Sequence, residues 1–117
     1  MSIIVREIKP EDVKDAVEII KTTDMGDGSW IAPWVEKPKE GEHIFVGVKD
    51  KKVISITYII MKKPPYGYIS TVATHSDYRR LGAGTKTITK ALAKAKENGF
   101  IIIGLHTGRG NIAGQGL

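Results

Sequence analysis

A short run of glycines and arginines past the middle of the chain has the composition of an anion-binding loop. It reads Tyr78-Arg79-Arg80-Leu81-Gly82-Ala83-Gly84, between a strand-like and a helix-like segment. Glycines let the backbone approach an anion closely, and the first amides of a following helix have no partner within it. The helix dipole and the arginines add positive charge. We therefore predict a phosphate cradle; the alternative is a tight turn that caps the helix, with both arginines solvated.

A second glycine-rich run fits the dinucleotide fingerprint by spacing alone. It is Gly108-Arg109-Gly110-Asn111-Ile112-Ala113. That fingerprint needs a helix, a second strand and an acidic residue about twenty positions later. The sequence ends at Leu117, which leaves no room for them. We therefore discard this run as a nucleotide site.

The elements that must position the first loop follow from hydrophobic periodicity. Helical spacing of apolar residues predicts helices over 10–21 and 85–98. Branched apolar runs between turn residues predict strands at 3–8, 43–48, 53–61, 68–74 and 100–105. The strand-helix-strand unit should make its two strands parallel. We expect one domain over residues 1–117, of α+β (mixed α/β) class, with a mixed central sheet, helices on both faces and 100–105 covered on both faces.

The segment 23–42 stands apart because its glycines and prolines interrupt regular structure. Long irregular segments inside small domains are often functional loops. Trp30 and Trp34 lie in it. Either the two tryptophans help to shape a substrate pocket, or they fill the edge of the core.

The stretch from Val72 to Gly84 resembles the signature motif of the GNAT N-acetyltransferase superfamily. That motif is Arg or Gln, two residues, Gly, one residue, then Gly or Ala, and here it is Arg79, Gly82 and Gly84. The tyrosine before the motif, the flanking strand and helix, and the order of elements from residue 3 to residue 105 also match. The resemblance implies a GNAT-like acyl-CoA N-acyltransferase fold, acetyl-CoA as cofactor and an amine acceptor.

The resemblance also implies a set of cofactor-binding residues. The pantetheine arm would lie between two splayed parallel strands, at 68–74 and 100–106. The backbone of the first strand would bind pantetheine and the acetyl carbonyl, and loop amides would hold the diphosphate. Asn111 matches an asparagine near the pantetheine. The implied residues are Val72, Ala73, Thr74, Arg79, Arg80, Leu81, Gly82, Ala83, Gly84, Thr85 and Asn111.

Acetyl transfer to an amine needs a base, donors for the developing oxyanion and an acid for the leaving thiolate. The amide of Thr74 or its neighbour could supply the donor. Ser70 and Thr71 stand where many family members place a glutamate base. His106, five residues before the asparagine, is the remaining candidate base because histidine titrates near neutrality. The alternative is that His106 is a surface residue at a strand end.

The C-terminal part of the family pattern departs from expectation. The family acid is usually a tyrosine seven residues after the asparagine, which would be position 118, beyond Leu117. The resemblance therefore implies that the last helix and strands of the family fold are missing, and that activity of this chain is uncertain. Strand 100–105 would then be an exposed, apolar edge. We expect a second chain to cover it, as a homodimer.

Composition narrows the classes of partner. The chain has 117 residues, no cysteine, a net charge of +5 and a pI near 9.5. The absence of cysteine excludes disulfides and thiolate catalysis and is consistent with a cytoplasmic protein. The longest apolar run is too short to span a bilayer, and three scattered histidines predict no metal site. The positive charge attracts polyanions, including phosphorylated cofactors.

Three functions remain open. The first is an N-acetyltransferase that acts on a small-molecule or peptide amine, with Trp30 and Trp34 near the acceptor. The second is a non-catalytic acyl-CoA-binding or interaction module of the same fold. The third is a nucleic-acid-binding domain that uses the lysines of 85–98. No base-reading motif supports the third, so nucleic acid is an unlikely partner.

Overall fold

The computed structural model describes residues 3–23 and 26–105. Their five strands form one sheet in the order β1-β2-β3-β4-β5. The first three pairings are antiparallel, and β4 pairs with β5 in parallel. The strands are β1 (Ile4–Glu7), β2 (Glu42–Lys49), β3 (Lys52–Lys63), β4 (Tyr66–Thr74) and β5 (Ile102–Leu105). The helices are α1 (Val13–Lys21), α2 (Ile31–Glu36) and α3 (Ala83–Glu97).

The antiparallel part of the sheet is a meander because tight turns join its long strands. Asp50 and Lys51 connect β2 to β3, and both have positive φ, 51° and 66°. Two consecutive positive-φ residues match the right-handed twist of a hairpin. The pairing Val46↔Ile56 then fixes which side chains face each side of the sheet.

The sheet separates two apolar cores, one under each layer of helix. Alternate strand residues such as Ile44, Val46 and Ile56 pack with Ala16, Ile19, Ile20 and Ile31 of α1 and α2. The opposite face packs against α3 through Phe45, Ile59, Met61, Ile69, Val72, Ala91, Ala95 and Phe100. The mixed sheet with helices on both faces is therefore confirmed.

A partly buried ion pair fixes the connection between β1 and α1. Arg6 donates to both oxygens of Asp12, at 2.6 and 3.0 Å, and Asp12 Oδ2 also accepts from the amide of Lys9 at 2.7 Å. Burial would raise the pKa of Asp12, but the hydrogen bonds from Arg6 and Lys9 outweigh it and lower that pKa. The ionised carboxylate is thus the form that the fold stabilises.

Replacing Asp12 with asparagine is expected to destabilise the chain by about 2 kcal/mol at neutral pH, because a charge-assisted pair is lost. Because the pKa of Asp12 is lower in the folded state, its stabilisation is present above the pKa of the unfolded state and disappears as the pH falls through the pKa of the folded state. The free energy of unfolding, measured with urea between pH 7 and pH 3, should therefore depend less on pH for Asp12→Asn than for the native chain. Glu11→Gln, at an exposed neighbouring position, is the control. Equal pH profiles for the native chain and Asp12→Asn would contradict the prediction.

One local expectation is wrong. The 23–42 segment is not wholly irregular, because Ile31–Glu36 forms α2. Pro33 is tolerated there because it lies in the first turn, where the amide has no helical partner. For the segment 100–105, β5 is the last strand of the described sheet and Ile101, just before it, is 76% exposed. Coverage of both faces of β5 stays a prediction.

Candidate functional site: the junction of strand β4 and helix α3

The glycine-arginine loop lies where β4 leaves the sheet and α3 begins. A short 3-10 turn, Ser76–Tyr78, follows β4 and directs the chain toward the helix. His75 fixes this turn: its amide donates to the carbonyl of Ile54 at 2.8 Å, and its Nδ1 accepts from the amide of Asp77 at 3.1 Å. His75 is only 7% exposed. Its role is structural, because it anchors the start of the loop to β3.

The backbone amides of the loop are free of partners within the described part of the chain. None of the amides from Arg79 to Thr85 donates to a backbone or side-chain acceptor there, whereas Lys86 donates to the carbonyl of Gly82 at 3.0 Å. No side chain caps the N-terminus of α3. A run of amides without acceptors at a helix N-terminus is an anion-binding arrangement.

The conformation of the loop depends on two residues with positive φ. Arg80 has φ 71° and Gly82, the N-cap of α3, has φ 81°. A Cβ on Gly82 would meet no atom within 4 Å, so the space beside it is open. Arg79, Arg80 and Leu81 are exposed around this space. The predicted cradle residues Arg79 to Gly82 are therefore exposed to solvent, and two of them carry a positive charge.

The first turn of α3 is held differently from the loop that precedes it. Ala83 and Gly84 are buried against the sheet, whereas Thr85 is exposed. The burial of Ala83 and Gly84 fixes the start of the helix against the sheet. The loop thus presents its amides to solvent while its end is fixed in the core.

Strand β4 directs part of its backbone away from β3. The amide of His75 bonds to Ile54, and the pairing runs through Ile56↔Ala73 and Tyr58↔Thr71. Because antiparallel pairs alternate, the polar groups of Ala73 face β3, whereas those of Val72 and Thr74 point to the opposite side of the strand. Of the three predicted pantetheine-binding residues, Val72 and Thr74 therefore have the available backbone groups.

Among the described residues, which end at Leu105, the pairing between β4 and β5 involves the first half of β4. It runs from Tyr66↔Ile102 to Ile69↔Leu105, and β4 continues to Thr74. Ser70 falls at an irregularity, since Tyr58 pairs with Thr71 and Ile59 pairs with Ile69. A bulge of this kind bends a strand and redirects its backbone groups. His106 and Asn111, the predicted base and pantetheine ligand, lie outside the described residues.

On the other face of the sheet, both predicted substrate tryptophans surround one tyrosine. The ring of Trp30 stacks on Tyr58 with centroids 5.1 Å apart, and Trp34 meets the same ring edge-on at 6.2 Å. Both tryptophans are half-buried against the α1–α2 core. The structure thus brings Trp30 and Trp34 together beside Tyr58, which pairs across the sheet with Thr71 of β4.

A buried glutamate that the sequence did not single out organises this aromatic group. Glu42, 7% exposed, accepts hydrogen bonds at Oε1 from the hydroxyl of Tyr58 and from Nε1 of Trp34, the latter at 3.0 Å. Its Oε2 lies 3.0 Å from Nζ of Lys62. No local sequence signal indicated Glu42, because its partners Tyr58 and Lys62 come from β3, the neighbouring strand. We call Trp34, Glu42, Tyr58 and Lys62 the Glu42 cluster.

The electrostatics of the cluster favour a permanent carboxylate. Burial would raise the pKa of Glu42, but hydrogen bonds from Tyr58, Lys62 and Trp34 outweigh it and hold that pKa below its ordinary value. Burial and the neighbouring carboxylate raise the pKa of Tyr58 well above its ordinary value. Both oxygens of Glu42 are already engaged, Oε1 by hydrogen bonds from Tyr58 and Trp34 and Oε2 by the ammonium group of Lys62, which fits a role in holding the aromatic wall.

A surface pocket of about 510 Å³ lies beside the cluster. The segment Pro38–Glu42 forms one wall, and Glu7, Trp34 and His43 contribute others. His43 Nδ1 lies 2.8 Å from Glu7 Oε1 at its rim. Among the described residues, no three acidic or histidine side chains converge as a metal site would require, and no helix has the length and apolar character needed to cross a membrane.

A mixed sheet with helices on both faces, and a glycine-rich loop that leads from β4 into α3, is the architecture to compare with known proteins. The profile of the acetyltransferase (GNAT) family matches residues 6–117. The chain belongs to the GNAT acetyltransferase family. No curated protein sequence matches it significantly.

Solved structures share the fold at low sequence identity. A transcriptional regulator from Bacillus halodurans C-125 superposes with a TM-score of 0.80 at 20% identity, over 92% of this chain and 83% of that one. Ribosomal-protein-alanine N-acetyltransferase from Brucella melitensis biovar Abortus 2308 has a TM-score of 0.81 and 13% sequence identity, and the match covers 98% of this chain and 86% of that one. An aminoglycoside acetyltransferase from an uncultured soil metagenomic sample, solved with sisomicin, has a TM-score of 0.70 and 16% identity. That match covers 89% of this chain and 76% of that one.

Proposed function

We propose that residues 1–117 form one N-acetyltransferase domain that transfers an acetyl group from acetyl-CoA to a primary amine. The observation that carries this proposal is the run of unpartnered amides from Arg79 to Thr85 at the start of α3. A diphosphate is a strong acceptor with the charge that such amides and the helix dipole stabilise. Arg79 and Arg80 add two full positive charges at the rim.

The fit to acetyl-CoA extends along β4. The thioester supplies an activated acyl group, and the chain must bind, orient and shield it. The backbone groups of Val72 and Thr74 point away from β3 and are available to the pantetheine arm. The amide of Thr74 is also placed to donate to a carbonyl oxygen on that side of the strand, which is the contribution expected of an oxyanion donor.

The acceptor would approach from the α1–α2 face. Tyr58 lies opposite Thr71, next to the part of β4 assigned to the acyl group. Trp30 and Trp34 flank Tyr58, and aromatic faces attract ammonium groups. His106 is the proposed base, acting directly or through water. Similarity in fold to an aminoglycoside acetyltransferase and to a ribosomal-protein-alanine N-acetyltransferase supports small molecules and protein amines as candidate acceptor classes.

The second candidate is an acyl-CoA-binding module without transfer activity. The similarity in fold to a transcriptional regulator favours keeping it. In both cases the cradle binds the cofactor, and the two differ only in whether the thioester is consumed.

Acetyl-CoA is expected to stabilise the native chain against heat, because a ligand that binds only the folded state raises the melting temperature. At about a hundredfold excess over its Kd the shift should be roughly 10 °C for a chain of this size. Desulfo-CoA should give a similar shift, since the diphosphate contacts are kept. Adenosine, which lacks the diphosphate, is the control and should give little.

Thiol release then separates the two candidates. Amines of several kinds, including polyamines, aminoglycosides and peptides with free N-termini or lysines, are added with acetyl-CoA. Amine-dependent release of CoA supports the transferase, whereas binding with no release across the panel supports the module. A chain that neither binds the cofactor nor releases thiol, but is stabilised by oligonucleotides in a salt-sensitive way, would contradict both.

A further inference from the structure

Three hydroxyl groups are fully buried between the sheet and the first turn of α3. Ser55 and Thr57 lie on β3, Thr87 lies on α3, and all three are 0% exposed. The rest of this core is apolar. Resting on the proposed cofactor site, we propose that these hydroxyls are positioning groups that set the phosphate cradle, and that they act through the peptide units of Ala83 and Gly84.

The hydrogen bonds form a directed chain from the sheet to the helix. The hydroxyl of Thr57 donates to Oγ1 of Thr87 at 3.0 Å. Thr87 Oγ1 donates in turn to the carbonyl of Gly84 at 3.0 Å, with the carbonyl of Ala83 at 3.3 Å. Ser55 Oγ donates to the same Ala83 carbonyl at 3.4 Å. Every buried hydroxyl therefore ends on the first two residues of α3.

These carbonyls belong to the peptide units that carry cradle amides. The carbonyl of Ala83 shares its peptide group with the amide of Gly84, and the carbonyl of Gly84 shares its group with the amide of Thr85. A hydrogen bond to a carbonyl polarises the whole peptide group and strengthens its amide as a donor. The hydroxyl chain thus orients two amides of the cradle and increases their affinity for an anion.

A gain in folding stability does not by itself explain why these positions carry hydroxyl groups. A buried hydroxyl costs free energy unless it is hydrogen-bonded, and replacing both partners by apolar groups of the same shape is often neutral or stabilising. Valine would fit at Thr57 and Thr87 and would extend the apolar core of Phe45, Ile59 and Val72. Threonine rather than valine at positions 57 and 87 therefore indicates that these hydroxyls position the start of α3.

A glycine in the sheet, Gly47, also leaves space for the hydrogen-bonded hydroxyls. Gly47 of β2 pairs with Ser55, and a Cβ on Gly47 would overlap Ser55 Oγ and lie 3.3 Å from Thr87 Cγ2. A larger residue at Gly47 would push Ser55 and Thr87 apart. Strands β2 and β3 together hold the helix start in place.

The test uses Thr57→Val/Thr87→Val in the full chain. We expect it to fold with a melting temperature equal to or above that of the native chain, while its Kd for CoA rises about fivefold to tenfold, which corresponds to the loss of about one hydrogen bond. In ¹H–¹⁵N spectra of the free protein, the amides of Gly84 and Thr85 should shift upfield. Where transfer is detected, the KM for acetyl-CoA should rise with little change in kcat.

Thr89→Val is the matched control. Thr89 lies on the same helix and its hydroxyl donates to the carbonyl of Thr85 at 2.7 Å, but it is exposed and does not contact the sheet. It should leave the Kd unchanged. Thr87→Ser keeps the hydroxyl and should stay near the native Kd. If the double variant does not fold, Thr57→Val alone, which leaves the bond from Thr87 to Gly84 intact, should give a smaller rise.

The outcomes are distinct. A native chain that binds no CoA overturns the proposed function together with this inference. A native chain that binds, with Thr57→Val/Thr87→Val and Thr57→Val both matching Thr89→Val in Kd, overturns the positioning role and leaves the cofactor assignment standing.

Discussion

Replacing Gly82 with valine is expected to abolish the thermal stabilisation that acetyl-CoA gives the native chain. Gly82 has φ 81°, a conformation that costs an L-residue about 1–2 kcal/mol and a β-branched one more. The loop would relieve this strain by rotating peptide groups, and the amides from Arg79 to Thr85 would no longer converge. The measurement is the melting temperature with and without saturating acetyl-CoA.

The opposite end of the same helix provides a matched control. Gly99 follows the C-cap of α3, has φ 83° and, like Gly82, would place a Cβ in open space. Gly99→Val therefore introduces the same backbone strain about the length of the helix away from the cradle. It should lower the melting temperature of the free protein and keep the cofactor-dependent shift. If Gly82→Val responds to acetyl-CoA as fully as Gly99→Val does, the cradle is not the cofactor site.

Replacing Glu42 with leucine is expected to destabilise the chain by about 2–4 kcal/mol. The substitution leaves the hydroxyl of Tyr58 and Nε1 of Trp34 without their acceptor in a largely buried place. Because these groups hold the aromatic wall, Trp30 should also move, and tryptophan fluorescence should change. Urea unfolding measures the loss of stability.

The control is Glu40→Leu, an exposed glutamate two positions earlier in the same segment. It should change stability by less than about 0.5 kcal/mol. The pH profile gives a second check. The pKa of Glu42 is lowered, so its stabilisation exists above the ordinary value of 4.5 and is lost as the pH falls through the folded value. Glu42→Gln should reduce the fall in the free energy of unfolding at acid pH. An unchanged fall would show that Glu42 is not the titrating group.

The sequence predicted the parts of the fold that depend on local pattern. Alternation and turn residues located the strands, and apolar spacing located α3, whose buried Ala91 and Ala95 were both on the predicted face. Glycine spacing and arginines also predicted a phosphate cradle, because they are a local signal with a direct physical cause. Within the described residues the amides from Arg79 to Thr85 have no acceptor, and anion binding there stays a prediction.

The parts that could not be predicted depend on contacts between distant residues. Glu42 looked like the end of a loop, and only the pairing of β2 with β3 brings it to Tyr58. Likewise, no local pattern marks Thr87, whose partners are Thr57 on β3 and the carbonyls of the helix start.

The isoleucine-rich core gives the molecule a built-in set of spectroscopic reporters. Ile44 and Ile56 pack on the α1–α2 face, while Ile59 and Ile69 pack on the α3 face. Selective ¹³C labelling of their δ1 methyl groups would observe the two sides of the sheet separately. A ligand at the cradle should perturb the second pair through α3, the helix that begins at the cradle and packs on these residues. Any response of the first pair would then report how strongly the sheet transmits cofactor binding to the side where the acceptor is proposed to bind.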